Sequence, residues 1–146
     1  MLHARQAVRQ YTGQITEAQL TQILAAGNAA PVGLGQYDNY RLTVIQDTKV
    51  LRQLTGIYDA PTVIVVSAAM ASQLTAISAG AIAHNLELAA EDLGLGANYN
   101  MASLGSLPTG VVPSGFTPIF AVTLGQTTQT FAARQVPANR IRVNRV

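Results

Sequence analysis

The sequence contains no cysteine, which removes disulfides, thiolate metal sites and cysteine nucleophiles from consideration. Charge is scarce too: Asp, Glu, Lys and Arg make up 11% of the 146 residues, against about a quarter in ordinary soluble domains. The two histidines, His3 and His84, lie too far apart in the chain to show metal-ligand spacing. No apolar run approaches the ~18 to 20 residues that span a bilayer. The longest, Ala60 to Ala71, is broken by Pro61, Thr62 and Ser67. The opening residues, Met1 to Arg5, have no apolar h-region and do not read as a secretory leader. A cytoplasmic protein with no membrane partner is the expectation. There is no Gly-x-Ser-x-Gly elbow and no P-loop. Gly94-Leu95-Gly96 is a fragment of a dinucleotide fingerprint, but it follows a helix where that fingerprint follows a strand. Without a dense basic stripe carrying interleaved aromatics, nucleic acid is not an expected partner.

What is present is apolar. Hydrophobic residues make up 49% of the chain, and so little charge implies apolar surface hidden against a partner, hence an oligomer. The formal charge of +2 includes Arg5, Arg9, Arg134, Arg140, Arg142 and Arg145 near the two ends. Arginine suits forked contact with phosphate, so the clustering marks either a phosphate site or ordinary surface charge.

Along the chain, Ile15 to Leu20 reads as a helix start, with a Thr16–Gln19 capping box and an Ile15–Leu20 staple. Leu20, Ile23 and Leu24 give an apolar face, and Gly27 is placed to stop the helix in a left-handed turn. Ala29 to Asn39 reads as a loop. Arg41 to Ile45 predicts a strand, Thr48 opens a short helix closed by Gly56, and Pro61 to Val66 predicts a buried central strand. A long helix is expected from Ser78 to Leu93, ended by Gly94, and a further strand over Ile119 to Leu124. Arg140 to Val146 alternates as a half-exposed strand does. Elements intermix without a linker or repeat, so residues 1–146 form one α+β domain.

His84, Glu87, Glu91 and Asp92 share one side of the long helix. A carboxylate–histidine site is conceivable, but a solvated or subunit-facing surface is the preferred reading. An enzyme built from this sequence needs a cofactor to carry its chemistry. Two features suit one: Arg5, Arg9 and Arg134 as phosphate anchors, and the loops Pro31 to Tyr37 and Asn98 to Gly105, whose glycines let backbone approach a flat ring.

With these residues in hand, the sequence resembles the nitroreductase family. Arg5-Gln-Ala-Val-Arg9-Gln-Tyr11 resembles its opening Arg-x-Ser-x-Arg-x-Phe/Tyr motif, and Ala26 to Gly33 its Ala-Pro-Ser-x-x-Asn loop. Ala60 to Val66 resembles the buried strand. Ala81 to Gly96 resembles the long helix and its exit, and Phe120 to Gly125 the strand that ends in glycine. The resemblance implies a central mixed sheet flanked by helices, and a homodimer whose C-terminal strand is exchanged to the partner. It implies FMN at the two-fold interface, reduced by NAD(P)H and reoxidised by a nitroaromatic, quinone or similar acceptor, with no side chain acting as nucleophile. Arg5 and Arg9 would hold the FMN phosphate and ribityl end, with Gln6 and Ala7 between them, and Arg134 would also contact the phosphate. Pro31, Val32, Gly33, Leu34 and Gln36 would line the ring and ribityl chain from the second subunit. Asn100, Met101, Ala102 and Ser103 would lie against the reactive edge of the ring.

The departures are specific. Ala7 stands where the family has a serine between its arginines, Val32 replaces the loop serine, and Gly35 to Tyr40 replaces an Asn-x-Gln-Pro-Trp stretch. Segments after Gly56 and Gly96 are compact, which implies an open pocket. A dimer that holds flavin, or another small ligand, without turnover is the alternative reading.

Overall fold

The computed structural model describes residues 2–146. The first helix, α1 (Glu17–Asn28), starts as its sequence dictates: the Thr16 hydroxyl accepts the Gln19 amide at 3.2 Å, and the Gln19 side chain accepts the Thr16 amide at 2.9 Å. Ile15 and Leu20, the two ends of the staple, are both buried. Gly27 does not end α1, which runs on to Asn28 and is capped by Ala29 in right-handed geometry. Its role is steric. A Cβ at Gly27 would lie 2.7 Å from Leu86 Cδ2, so this glycine sets how closely α1 approaches the long helix.

Four strands follow: β1 (Tyr40–Ile45), β2 (Thr62–Ala68), β3 (Gly96–Tyr99) and β4 (Thr117–Gly125). They form one sheet in the order β1-β2-β4-β3, and all three pairings are antiparallel. The parallel pairing of a mixed sheet is not found among the described residues. Every residue of β2 is buried, which is what a β-branched run apolar on both faces requires. Pro61 sits just before its first residue.

The two faces are covered differently. Ile64, Val66, Val122 and Leu124 meet Leu20, Ile23, Ile82 and Leu86 from α1 and the long helix α3 (Gln73–Asp92). On the other face Val63, Val65, Ala121 and Ile45 meet Leu54 and Ile57, with Leu104, Leu107, Val111 and Val112 at the margin. Each fully buried aliphatic side chain contributes roughly 1.5 to 3 kcal/mol, so the two-sided strands β2 and β4 carry much of the stability.

Several boundaries differ from expectation. Helix α3 begins five residues early, because Ser72 and Thr75 form a capping box ahead of it. The short helix α2 (Thr48–Leu51) is capped by Asp47, whose carboxylate accepts the Lys49 and Val50 amides. Asn98 and Tyr99, expected in a loop, belong to β3. The tail beyond Gln126 forms no strand in its own chain, and Arg140 to Val146 is exposed throughout. Gly94, at φ +72°, does end α3 as expected. No helix among the described residues is long and apolar enough to cross a membrane.

Candidate functional site

The amino-terminal segment lies along the outer edge of β3 and the C-terminal half of α3. Val8 donates its amide to the Ala97 carbonyl at 2.9 Å and is fully buried. Gly96 makes that possible, since a Cβ there would fall 2.6 Å from Val8 Cγ1. Gly125 makes room for Tyr11 in the same way, at 2.8 Å. Tyr11 then bonds the Thr123 hydroxyl at 2.6 Å and donates to the Val8 carbonyl. Burial pushes its phenol up to about 12. The glycines at the start of β3 and the end of β4 therefore dock the segment that carries Arg5 and Arg9.

Arg5 does not face solvent alone. Its Nη1 pairs with Glu87 Oε1 at 3.0 Å, and Glu87 is fully buried. One turn on, Glu91 accepts the Gln6 amide at 2.8 Å and is also buried. Burial is the main cause holding the Glu91 carboxyl above the usual range, with the Glu87 charge adding to it and Arg5 and Arg134 opposing it. The solvated-face reading of these carboxylates is therefore overturned: they form a buried anchor for the amino-terminal segment. Each leaves its Oε2 without a hydrogen-bond partner.

The other expected residues fall into place unequally. Arg134 joins this end, donating its amide and Nε to the His3 carbonyl at 3.0 and 3.2 Å. Arg9 is exposed and lies over the Tyr58 ring, 5.8 Å from its centroid. Gln6 also ties the tail, through its amide nitrogen to the Thr130 carbonyl, and Ala7 is half-buried between the two arginines. Asn100 and Ser103 are buried just beyond β3, and Asn100 Oδ1 accepts the Ser103 amide at 2.9 Å. The Asn100 amide reaches the Gly56 carbonyl. Met101 and Ala102 remain exposed. The turn at Gly56 to Asp59 thus touches both groups, and there Tyr58 and Asp59 adopt positive φ, 56° and 55°.

Pro31 to Gln36 lies elsewhere. The Gly33 amide donates to Ser78 Oγ at 3.0 Å, near the start of α3. Nine residues separate Ser78 from Glu87, which is about 14 Å of helix. Val32 borders a separate cavity of about 330 Å³ between α1, β1 and α3; Leu34 is highly exposed with a positive φ, and Pro31 and Gln36 are exposed. One chain therefore brings Arg5, Gln6, Ala7, Arg9, Arg134 and Asn100 to Ser103 to one side and leaves the Pro31 loop distant.

Sequence reading missed Tyr58 and Tyr99. Tyr99 Oη lies 2.6 Å from His84 Nδ1, and its ring meets Phe120 edge-on. Its position is visible only once β3 is known to pair with β4. Among the described residues no group of three or more His, Cys, Asp or Glu side chains is placed to hold a metal.

Known proteins share this architecture. A nitroreductase from Desulfitobacterium hafniense DCB-2 with bound FMN superposes with a TM-score of 0.83 at 19% identity, covering 99% of this chain and 95% of that one. The fold is the nitroreductase fold. A nitroreductase from Bacteroides fragilis NCTC 9343 with bound FMN has a TM-score of 0.76 at 24% identity, over 99% and 96% of the two chains. A putative NADH oxidase from Clostridium acetobutylicum has a TM-score of 0.80 at 20% identity, over 99% of both. The model of the nitroreductase family matches residues 37–104, which takes in the Ala60 to Val66 and Ala81 to Gly96 motifs. That matched span runs from Tyr37, just ahead of β1, through β3 to Leu104. It includes Asn100 to Ser103 and excludes Arg5, Arg9, Arg134 and Pro31 to Gln36. No curated protein matches the sequence.

Proposed function

We propose that this chain is an FMN-dependent oxidoreductase that works as a homodimer and passes electrons from NAD(P)H to a small organic acceptor, a nitroaromatic or a quinone. One observation carries the reading: three guanidinium groups gather at the amino-terminal segment, in a fold that an FMN-bound nitroreductase shares over 99% of this chain.

These residues fit a phosphate. Arg5 uses one nitrogen on Glu87 and Arg134 uses Nε on His3, so each keeps further donors. Among the described residues Arg9 has no carboxylate within ion-pair distance. Charge-assisted bonds of this kind are the strong ones. FMN, when bound, supplies two-electron chemistry that no side chain of this protein provides. The chain's own work is to hold the phosphate with Arg5, Arg9 and Arg134 and to set Asn100 to Ser103 beside the ring. Pro31, Val32, Gly33, Leu34 and Gln36 are too distant to join from the same subunit, which supports a site completed by the second copy. The exposed Ile141 and Val143 suit a tail that adds a strand to the second copy's sheet and covers its open edge.

The visible spectrum of the purified protein tests this reading. A flavin spectrum bleached by NADH or NADPH without oxygen, and restored by a quinone, is expected. A colourless protein that takes up no added FMN would overturn it. Ala7 and Val32, which remove two hydroxyls from the family pattern, favour a second reading: a dimer that holds flavin without turnover. A yellow protein that neither nicotinamide reduces would establish that alternative.

A further inference from the structure

The turn that joins α2 to β2 carries more structure than a short connection needs. Tyr58 and Asp59 follow one another there at φ 56° and 55°. That left-handed region is uncommon for residues other than glycine, and a bulky tyrosine in it is an outlier. The turn is held in this shape from the side of Asn100 to Ser103. The Asn100 side-chain amide donates to the Gly56 carbonyl, and the Thr55 hydroxyl donates to the Ala102 carbonyl at 3.2 Å. The Thr55 amide donates to Ser106 Oγ at 2.8 Å. Gly56 lets the two segments close up, since a Cβ there would fall 3.1 Å from Ala102 Cβ.

What this braced turn displays is an aromatic ring. Tyr58 is 47% exposed, and the Arg9 guanidinium lies over its face, 5.8 Å from the centroid. The backbone at Arg9 is fixed by its fully buried neighbour Val8, whose amide bonds the Ala97 carbonyl. The long side chain of Arg9 is exposed, and among the described residues no ion pair holds it. We propose that Tyr58 is a positioning residue, whose ring holds the Arg9 guanidinium where the flavin phosphate binds. The inference rests on the oxidoreductase reading and adds to it the group that orients an arginine no carboxylate orients.

The chemistry of the pair suits that task. A guanidinium is attracted to the negative face of an aromatic ring, and a ring face takes up none of its N–H donors. Arg5 shows the contrast, because one of its nitrogens is spent on Glu87 at 3.0 Å. A carboxylate at position 58 would hold Arg9 harder and would also repel an incoming phosphate. The ring orients the cation and leaves its charge and its donors for the ligand. A free arginine loses rotamer freedom when it closes on a phosphate, and one already held against a ring loses less, which raises affinity. The strained backbone fits the same purpose. Glycine would take this φ without cost, but it would display no ring to Arg9.

The test is a double-mutant cycle on FMN affinity, read by fluorescence titration, with riboflavin as the comparator that lacks the phosphate. Tyr58→Leu should weaken FMN by about three- to five-fold, the scale of an exposed cation–π contact, and leave riboflavin affinity unchanged. Tyr58→Phe keeps the ring face and should bind FMN as the parent does. In an Arg9→Ala background, Tyr58→Leu should cost nothing further. Tyr58→Gly, which removes the ring and relieves the left-handed backbone, should repeat the FMN-specific loss and serves where Tyr58→Leu does not fold. Before flavin is added, the Arg9 side-chain NMR resonances, identified by their loss in Arg9→Ala, should lose their ring-current displacement in Tyr58→Leu and keep it in Tyr58→Phe. Parent FMN affinity without the ring, equal weakening of both flavins, or a full additional loss in the Arg9→Ala background overturns the positioning role while the oxidoreductase reading stands. A parent protein that takes up neither flavin overturns both.

Discussion

At the scale of single residues, the arginines are not equivalent, and variants at them will not read alike. Arg5 is the counter-charge of a fully buried carboxylate. Removing one partner of such a pair leaves an uncompensated buried charge and costs about 3 kcal/mol, the low end of the usual range because the Arg5 side chain is itself partly exposed. Arg5→Ala should therefore lose stability and FMN together, seen as a lower urea midpoint alongside weaker binding. Arg9 carries no such duty. Arg9→Ala should keep the parent's midpoint and weaken FMN by about ten-fold, the scale of one charge-assisted bond. An Arg9→Ala protein with unaltered flavin affinity in a fluorescence titration would remove that side chain from the site.

Glu91 makes a prediction of opposite sign. Its carboxyl is held above the usual range by burial, so the folded chain binds its proton more tightly than the unfolded chain does. The stability this contributes is complete below the unfolded value of about 4.5, and it is lost as pH rises through the raised folded value. At pH 7.5 the charged form is a liability. Glu91→Gln keeps a carbonyl oxygen for the Gln6 amide and removes the charge, so its melting temperature should exceed the parent's by about 2 to 4 °C at pH 7.5. The difference should close by pH 4. Parallel melting curves across that range would show that Glu91 titrates normally in the fold.

At the scale of elements, the sequence was most legible where local chemistry and burial agree. The Thr16–Gln19 box, the apolar run of β2 and the left-handed Gly94 all follow from rules that need only neighbours in the chain. Gly27 shows where such rules end. A glycine near the end of a helix reads as a stop, yet here tertiary contact with Leu86 gives it a different purpose. Gly27→Ala should gain up to about 1 kcal/mol of helix propensity and lose about 1 to 3 kcal/mol to overpacking against Leu86. The net expectation is a loss of about 1 kcal/mol, measurable by denaturant titration, and a gain in stability would mean that Leu86 swings aside. The strand β3 was illegible for a related reason. Four residues are too few to show a period, and their strand state comes from pairing with β4. The buried state of Glu87 and Glu91 was equally hidden, because it depends on a segment some 80 residues earlier folding over them. Of the proposed site, Arg5, Arg9, Arg134 and Asn100 to Ser103 were named by resemblance, whereas nothing in the sequence marked Tyr58 or Tyr99, whose surroundings depend on contacts between distant segments.

At the scale of the whole molecule, one chain holds half of the proposed site. The Pro31 loop and the arginine end are separated along α3, and the tail from Thr127 onward adds no strand to its own sheet. Deleting residues 139–146 should shift the protein from dimer to monomer in sizing chromatography and lower its flavin content at the same time. A truncated protein that elutes as a dimer and stays yellow would show that those residues are dispensable.

The bare tail also makes the protein's assembly readable by a protease. Arg134, Arg140, Arg142 and Arg145 are all exposed in the single chain, and the nearest lysine or arginine before them is Arg52. Trypsin acting on a dilute, dissociated sample should therefore nick the last dozen residues first and leave a long resistant fragment. At concentrations where two copies associate, the same bonds should be shielded. If the proposed dimer forms, the rate of tail cleavage, followed by mass spectrometry against protein concentration, gives its dissociation constant without a label. Added FMN should slow it further.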